Sequence, residues 1–95
     1  MNKNNDLIFY TAHAKEKFKI LKEQGFPVKR KHVEDTIKFP EIIDHSQMPL
    51  LIAQKTIDEK HVLRVVFKKE NGIIKIITFY PARKRKLKPS MKDEK

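Results

Sequence analysis

HVLRVVFKKENGIIKIITFY, residues 61–80, is the stretch that decides the fold. Two β-branched, apolar runs, His61 to Lys68 and Ile73 to Tyr80, flank Asn71-Gly72. Asn-Gly is the pair that two-residue hairpin turns favour, because both central positions need positive φ. The stretch therefore predicts an antiparallel hairpin. Ile73 to Tyr80 is apolar on both faces, which predicts a strand inside the sheet. A two-residue turn sets Glu70 opposite Ile73, and counting back gives the register. Leu63, Val65 and Phe67 then share a face with Tyr80, Thr78 and Ile76. Arg64, Val66 and Lys68 share the other with Phe79, Ile77 and Lys75. One face is nearly dry, and the other carries cations among apolar neighbours. A bulge would swap these partners.

Working outward, the two-residue period reaches back to Ile42-Ile43, the start of a strand. Met48-Pro49 reads as a turn, Leu50 to Ile57 as a strand, and Asp58-Glu59-Lys60 as the turn into the hairpin. Upstream of Glu41 the period is helical. Thr11 is a good N-cap, and Ala14, Phe18 and Leu21 recur at i, i+4 and i+7. Gly25 ends that helix as a left-handed cap. A second helix, roughly Lys29 to Lys38, carries the pair Val33 and Ile37 and stops before Pro40. Lys29, Arg30, Lys31 and His32 crowd its first turn, where the dipole favours anions, so the cluster suits either binding or a tolerated surface. Leu7-Ile8-Phe9-Tyr10 reads as a short first strand. The expected fold class is α+β: an N-terminal strand and two helices packed on an antiparallel sheet. Residues 1–84 are expected to form one domain and residues 85–95 a basic, flexible tail, with the chain fraying beyond Pro81.

The chain has 95 residues with 22 Lys and Arg against 12 Asp and Glu, a net charge of +10. Residues 83–95 hold seven basic and two acidic groups, leaving 15 and 10 in residues 1–82. A basic excess so distributed predicts attraction to polyanions, nucleic acid first. Solubility is the blander explanation of the same charge. There are no cysteines, so disulfides and thiolate metal sites are excluded, as suits a reducing, cytoplasmic setting. MNKNNDLIFYTAHAKEK has no apolar run of signal-peptide kind, and no segment approaches the ~20 apolar residues of a membrane span.

Only two glycines, Gly25 and Gly72, are present, which leaves no phosphate-cradling loop. Ser46 and Ser90 sit in no nucleophile-elbow context. His13, His32, His45 and His61 are too scattered for a local metal motif, so neither metal nor cofactor is expected. What remains is a set of cations and acid–base groups. His13 stands in the first turn of the first helix, where the dipole favours neutral imidazole, a usable base. Lys17 lies one turn on. Packing or capping is the plainer role for His13. Arg64 interrupts an apolar run, which calls for either an open, solvated face or an acidic partner. Lys75 lies on the cation-bearing face, and Arg83, Lys84, Arg85 and Lys86 continue from the last strand as phosphate contacts or as a solvated tail. Tyr80 reads first as a residue of the core or its edge.

His13-Ala14 with Lys17, Gly25-Phe26-Pro27, the helix ending at Pro40, Leu63-Arg64-Val65-Val66, and Ile76-Ile77-Thr78 running into Tyr80-Pro81 together resemble the domain-of-unknown-function 4258 family. The likeness covers roughly residues 7–84. It implies a fold similar to the BrnT and RelE toxins, which agrees with the element order read from periodicity. Toxins of the RelE type cleave RNA without metal, using basic residues and sometimes a tyrosine on the concave face of the sheet. The resemblance carries that catalytic role onto His13, Lys17, Arg64, Tyr80 and Arg83. Lysine at position 17 replaces the family's usual arginine and loses its bidentate fork. The implied partners are RNA, including ribosome-bound mRNA, and an acidic antitoxin protein. The expectation is a toxin-like endoribonuclease. The alternative is a non-catalytic basic module that binds nucleic acid or an acidic protein.

Overall fold

A computed structural model of the chain describes residues 7–84. The order is β1 (Leu7–Tyr10), α1 (Ala12–Glu23), α2 (Arg30–Lys38), β2 (Ile42–Asp44), β3 (Leu51–Thr56), β4 (His61–Glu70) and β5 (Ile73–Arg83). The fold is α+β, with a five-stranded mixed sheet ordered β1-β5-β4-β3-β2. Strands β2 to β5 are antiparallel to their neighbours, and β1 joins the edge of β5 in parallel. No helix among the described residues is long and apolar enough to cross a membrane.

Local chemistry sets the element ends. The Thr11 hydroxyl accepts from the Ala14 amide at 3.1 Å, satisfying one of the free donors at the start of α1. Gly25 takes a left-handed φ of 84° just past that helix, a conformation costly for a residue with a Cβ. In α2 the His32 Nδ1 accepts from the Lys29 amide at 3.0 Å, and the Arg30 guanidinium lies 4.7 Å from the Tyr10 ring centroid. Two members of the basic cluster are thus used within the fold. Asn71 and Gly72 both have positive φ, 48° and 79°, as their two-residue turn requires.

Both helices pack on one face of the sheet. Ala14, Leu21 and Val33 join Ala53, Leu63, Val65, Phe67, Ile74, Ile76 and Phe79 in a single core. Phe18 stacks between Tyr10 and Phe79, with centroids 5.7 and 4.7 Å away. Burying each such aliphatic or aromatic side chain contributes about 1.5–3 kcal/mol, and the helical stripe of α1 matches the dry side of β5.

The hairpin register needs one correction. The pairs from Glu70 opposite Ile73 to Phe67 opposite Ile76 follow the two-residue turn, but the next pair is Val66 opposite Thr78. Ile77 is the extra residue of a β-bulge. Beyond it every partner moves by one: Leu63 faces Pro81, Val65 faces Phe79 and Arg64 faces Tyr80. Phe79 therefore joins the core, and Tyr80 turns to the opposite face. β5 lies inside the sheet, as its two apolar faces predict, beside the middle strand β4. One boundary shifts. Strand β5 continues past Pro81 to Arg83, and the Lys84 amide donates to the Lys60 carbonyl at 2.7 Å, so residues 81–84 are not frayed. Pro81 is tolerated there because β1 ends opposite Ile76, leaving that side of β5 free of a ladder partner.

Candidate functional site

Side chains alternate across a strand, so the residues between the core positions project from the sheet face on which no described helix packs. Tyr80 on β5, Arg64 on β4 and Gln54 on β3 lie in one row across three strands. The Arg64 Nε donates to the Tyr80 hydroxyl at 3.0 Å, and its Nη1 donates to Gln54 Oε1 at 2.6 Å. Its Nη2 lies 3.8 Å from Asp44 Oδ2 on β2. The half-buried guanidinium is thus aimed by three groups at once. Both readings of Arg64 from the sequence meet here: it lies on the open face and also has an acidic neighbour.

Asp44 is itself held in place. The Ser46 amide and hydroxyl donate to its Oδ1 at 2.8 and 2.6 Å. These hydrogen bonds, side-chain first, hold the carboxyl below its usual range, with the Arg64 charge a smaller cause.

His13 borders β5 from the first turn of α1. Its Nε2 lies 3.2 Å from Thr78 Oγ1, two residues before Tyr80 on β5. The junction is built around the bulge. The Thr11 amide donates to the Ile76 carbonyl and its hydroxyl to that of Ile77, both at 3.2 Å. One threonine therefore caps α1, fixes the bulge and sets His13 beside β5. His13 and Arg64 approach β5 from its two sides.

Arg64 and Tyr80 are in direct contact, and His13 borders the same strand. Lys17 is half-buried one turn along α1. Arg83 pairs with His61 and by alternation belongs to the face opposite Tyr80. Lys75 lies on the open face opposite Lys68, and Lys84 is exposed at the end of β5. Arg85 and Lys86, with the rest of the basic tail, lie outside the described residues. Gln54, Asp44 and Thr78 were not singled out from the sequence. The available signal was Gln54, a lone amide after Leu51-Ile52-Ala53, as Arg64 is a lone cation in its own run. Among the described residues, no three His, Cys, Asp or Glu side chains converge so as to hold a metal ion.

A second surface feature lies at the other end of the covered face. Ile8, Ile37, Phe39, Ile43 and Leu51 line a groove of about 550 Å³ together with Lys38, Lys69 and His45. Phe39 is 64% exposed, and the Lys55 ammonium lies 5.5 Å from its ring centroid. No family model, curated protein or solved structure matches the chain.

Proposed function

We propose that this protein binds RNA across the helix-free face of its sheet and cleaves it there without metal, as a toxin-like endoribonuclease. The observation that carries this reading is the Arg64–Tyr80 hydrogen bond on that face, with His13 on the neighbouring side of β5. Attraction to RNA comes from the basic surface. In the reaction the 2′-oxygen attacks the adjacent phosphorus and its proton passes to His13. Arg64 stabilises the charge that develops on the pentacoordinate phosphate, commonly the largest contribution in such chemistry. The bond from phosphorus to the 5′-oxygen breaks, and Tyr80 or a nearby lysine protonates the leaving oxygen. The products are a 2′,3′-cyclic phosphate and a 5′-hydroxyl. Lys84, exposed at the end of β5, holds a flanking phosphate, while Arg83, on the face opposite Tyr80, takes no part. An acidic antitoxin would seat in the groove lined by Ile37, Phe39 and Ile43 with Lys38 and Lys69, where apolar contacts and opposite charge coincide.

A second reading is favoured by the same guanidinium. Arg64 already engages Tyr80, Gln54 and Asp44, which suits a fixed element of a binding surface with no catalytic step. Labelled RNA incubated with the protein in EDTA, beside Arg64→Ala and His13→Ala, separates the two. Cleavage that falls by about 10²–10³-fold in Arg64→Ala supports catalysis. Intact RNA with salt-sensitive binding supports the binding module. Unchanged cleavage in a folded Arg64→Ala would end the catalytic assignment.

A further inference from the structure

The helix-free face carries a second row of side chains that the Arg64 cluster does not use. Phe9 on β1 pairs with Lys75 on β5, which pairs with Lys68 on β4. Strand alternation puts all three on the helix-free side. Phe9 is 53% exposed, and among the described residues no ring or cation stacks on it. Lys68 and Lys75 stand directly opposite each other, an arrangement that repels. Glu70 offsets part of that repulsion, with its Oε2 3.2 Å from the Lys68 Nζ. The row borders an open depression of about 540 Å³, lined by Leu7, Phe9, Ile73, Lys75 and Glu70 among others.

A bare aromatic ring and an opposed lysine pair are each unfavourable alone. One ligand relieves both: a nucleotide with its base on the ring and its phosphate over the lysines. Aromatic platforms beside cations are how proteins hold unpaired nucleic acid, since every base has a face to stack. A base inside a duplex is already stacked on both sides, so the row selects single strands. Arg64 lies four residues along β4 from Lys68, about 13 Å at ~3.3 Å per residue, so a short oligonucleotide spans both places.

We infer that Phe9, Lys75 and Lys68 form a stacking subsite for one unpaired nucleotide of an RNA whose backbone continues toward Arg64. This rests on the RNA-binding reading of the same face. It is tested with an unstructured oligouridine carrying a single 2-aminopurine, followed by anisotropy and by fluorescence quenching. The wild-type protein is expected to bind and to quench the reporter. Phe9→Leu should weaken binding by about 5–150-fold and abolish quenching, with its salt dependence unchanged. Phe9→Tyr should keep both signals. Lys75→Gln should lower the slope of log affinity against log salt by about 0.7. Wild-type binding without quenching, or Phe9→Leu behaving as wild type, overturns the subsite and leaves the RNA-binding reading standing. No binding by the wild-type protein to this oligonucleotide or to longer RNA overturns both.

Discussion

Along β4, Leu63, Val65 and Phe67 turn toward the helices, while Arg64 and Lys68 turn away. Along β5, Ile76 and Phe79 point one way and Lys75 and Tyr80 the other. The two faces are therefore interleaved in sequence, one residue apart, yet they answer to different physics. The covered face is held by apolar burial, which is non-directional and tolerates repacking. The helix-free face adds to its own buried Ile52 and Val62 a set of hydrogen bonds whose geometry must be met, those made by Arg64. The contrast predicts that neighbouring positions on one strand will fail in different ways.

The largest separation should come from Phe79→Ala and Arg64→Ala. Phe79 is fully buried beside Phe18, and its loss should cost about 3–5 kcal/mol in urea unfolding. Arg64→Ala should cost about 1–3 kcal/mol for its half-buried hydrogen bonds, while any RNA cleavage under the proposed reading falls by the factor given above. Equal stability losses at the two positions would break the division between faces.

Thr11→Ala tests a place where the helix and the bulge are tied together. Losing the cap should cost about 0.5–2 kcal/mol. Because the same hydroxyl donates to the Ile77 carbonyl at the bulge, amide exchange at residues 77–80 should quicken as well. Protection lost only within α1 would show that the bulge stands without the cap.

The smallest effects separate the faces by pH. On the covered face, burial and then the hydrogen bond and charge of Glu34 raise the Tyr10 phenol above its ordinary value near 10. The unfolded phenol ionises first. Its contribution is intact below pH ~10 and is lost as the pH climbs through the raised folded value. Tyr10→Phe should flatten that alkaline decline. On the other face the Asp44 carboxyl is lowered, so its contribution holds above its ordinary value near 3.8 and is lost as the pH falls through the lowered one. Asp44→Asn should flatten the acid limb and leave the alkaline limb unchanged. Stability measured at both extremes checks the pair.

Much of this was readable from short-range chemistry. Thr11, Gly25 and Asn71-Gly72 each specify a backbone conformation within a few residues, and the elements end where those residues demand. The bulge was not readable, because Ile77 is one more apolar residue in Ile76-Ile77-Thr78 and nothing in its type marks it as extra. That single residue decides whether Tyr80 or Phe79 meets Arg64. The partners of Arg64 on β2 and β3 were hidden for a related reason. Gln54 meets Arg64 across the short β3–β4 turn, whose register no residue type announces, and Asp44 comes near it only through two successive strand pairings and is further aimed by Ser46. The parallel attachment of β1 is likewise non-local, since alternation in Leu7 to Tyr10 says which side is buried and nothing of direction.

That attachment governs timing during synthesis. Thr11 and Ile77, which meet at the junction, are 66 residues apart, with both helices and β2 to β4 between them. At roughly 5–20 residues per second, the ribosome takes on the order of 3–13 s to cover that interval. The partial chain in that window lacks β5, and with it Tyr80, the outer support of Arg64 and the strand that His13 borders. The side chains that the proposal assigns to RNA cleavage therefore come together only once β5 has joined the sheet.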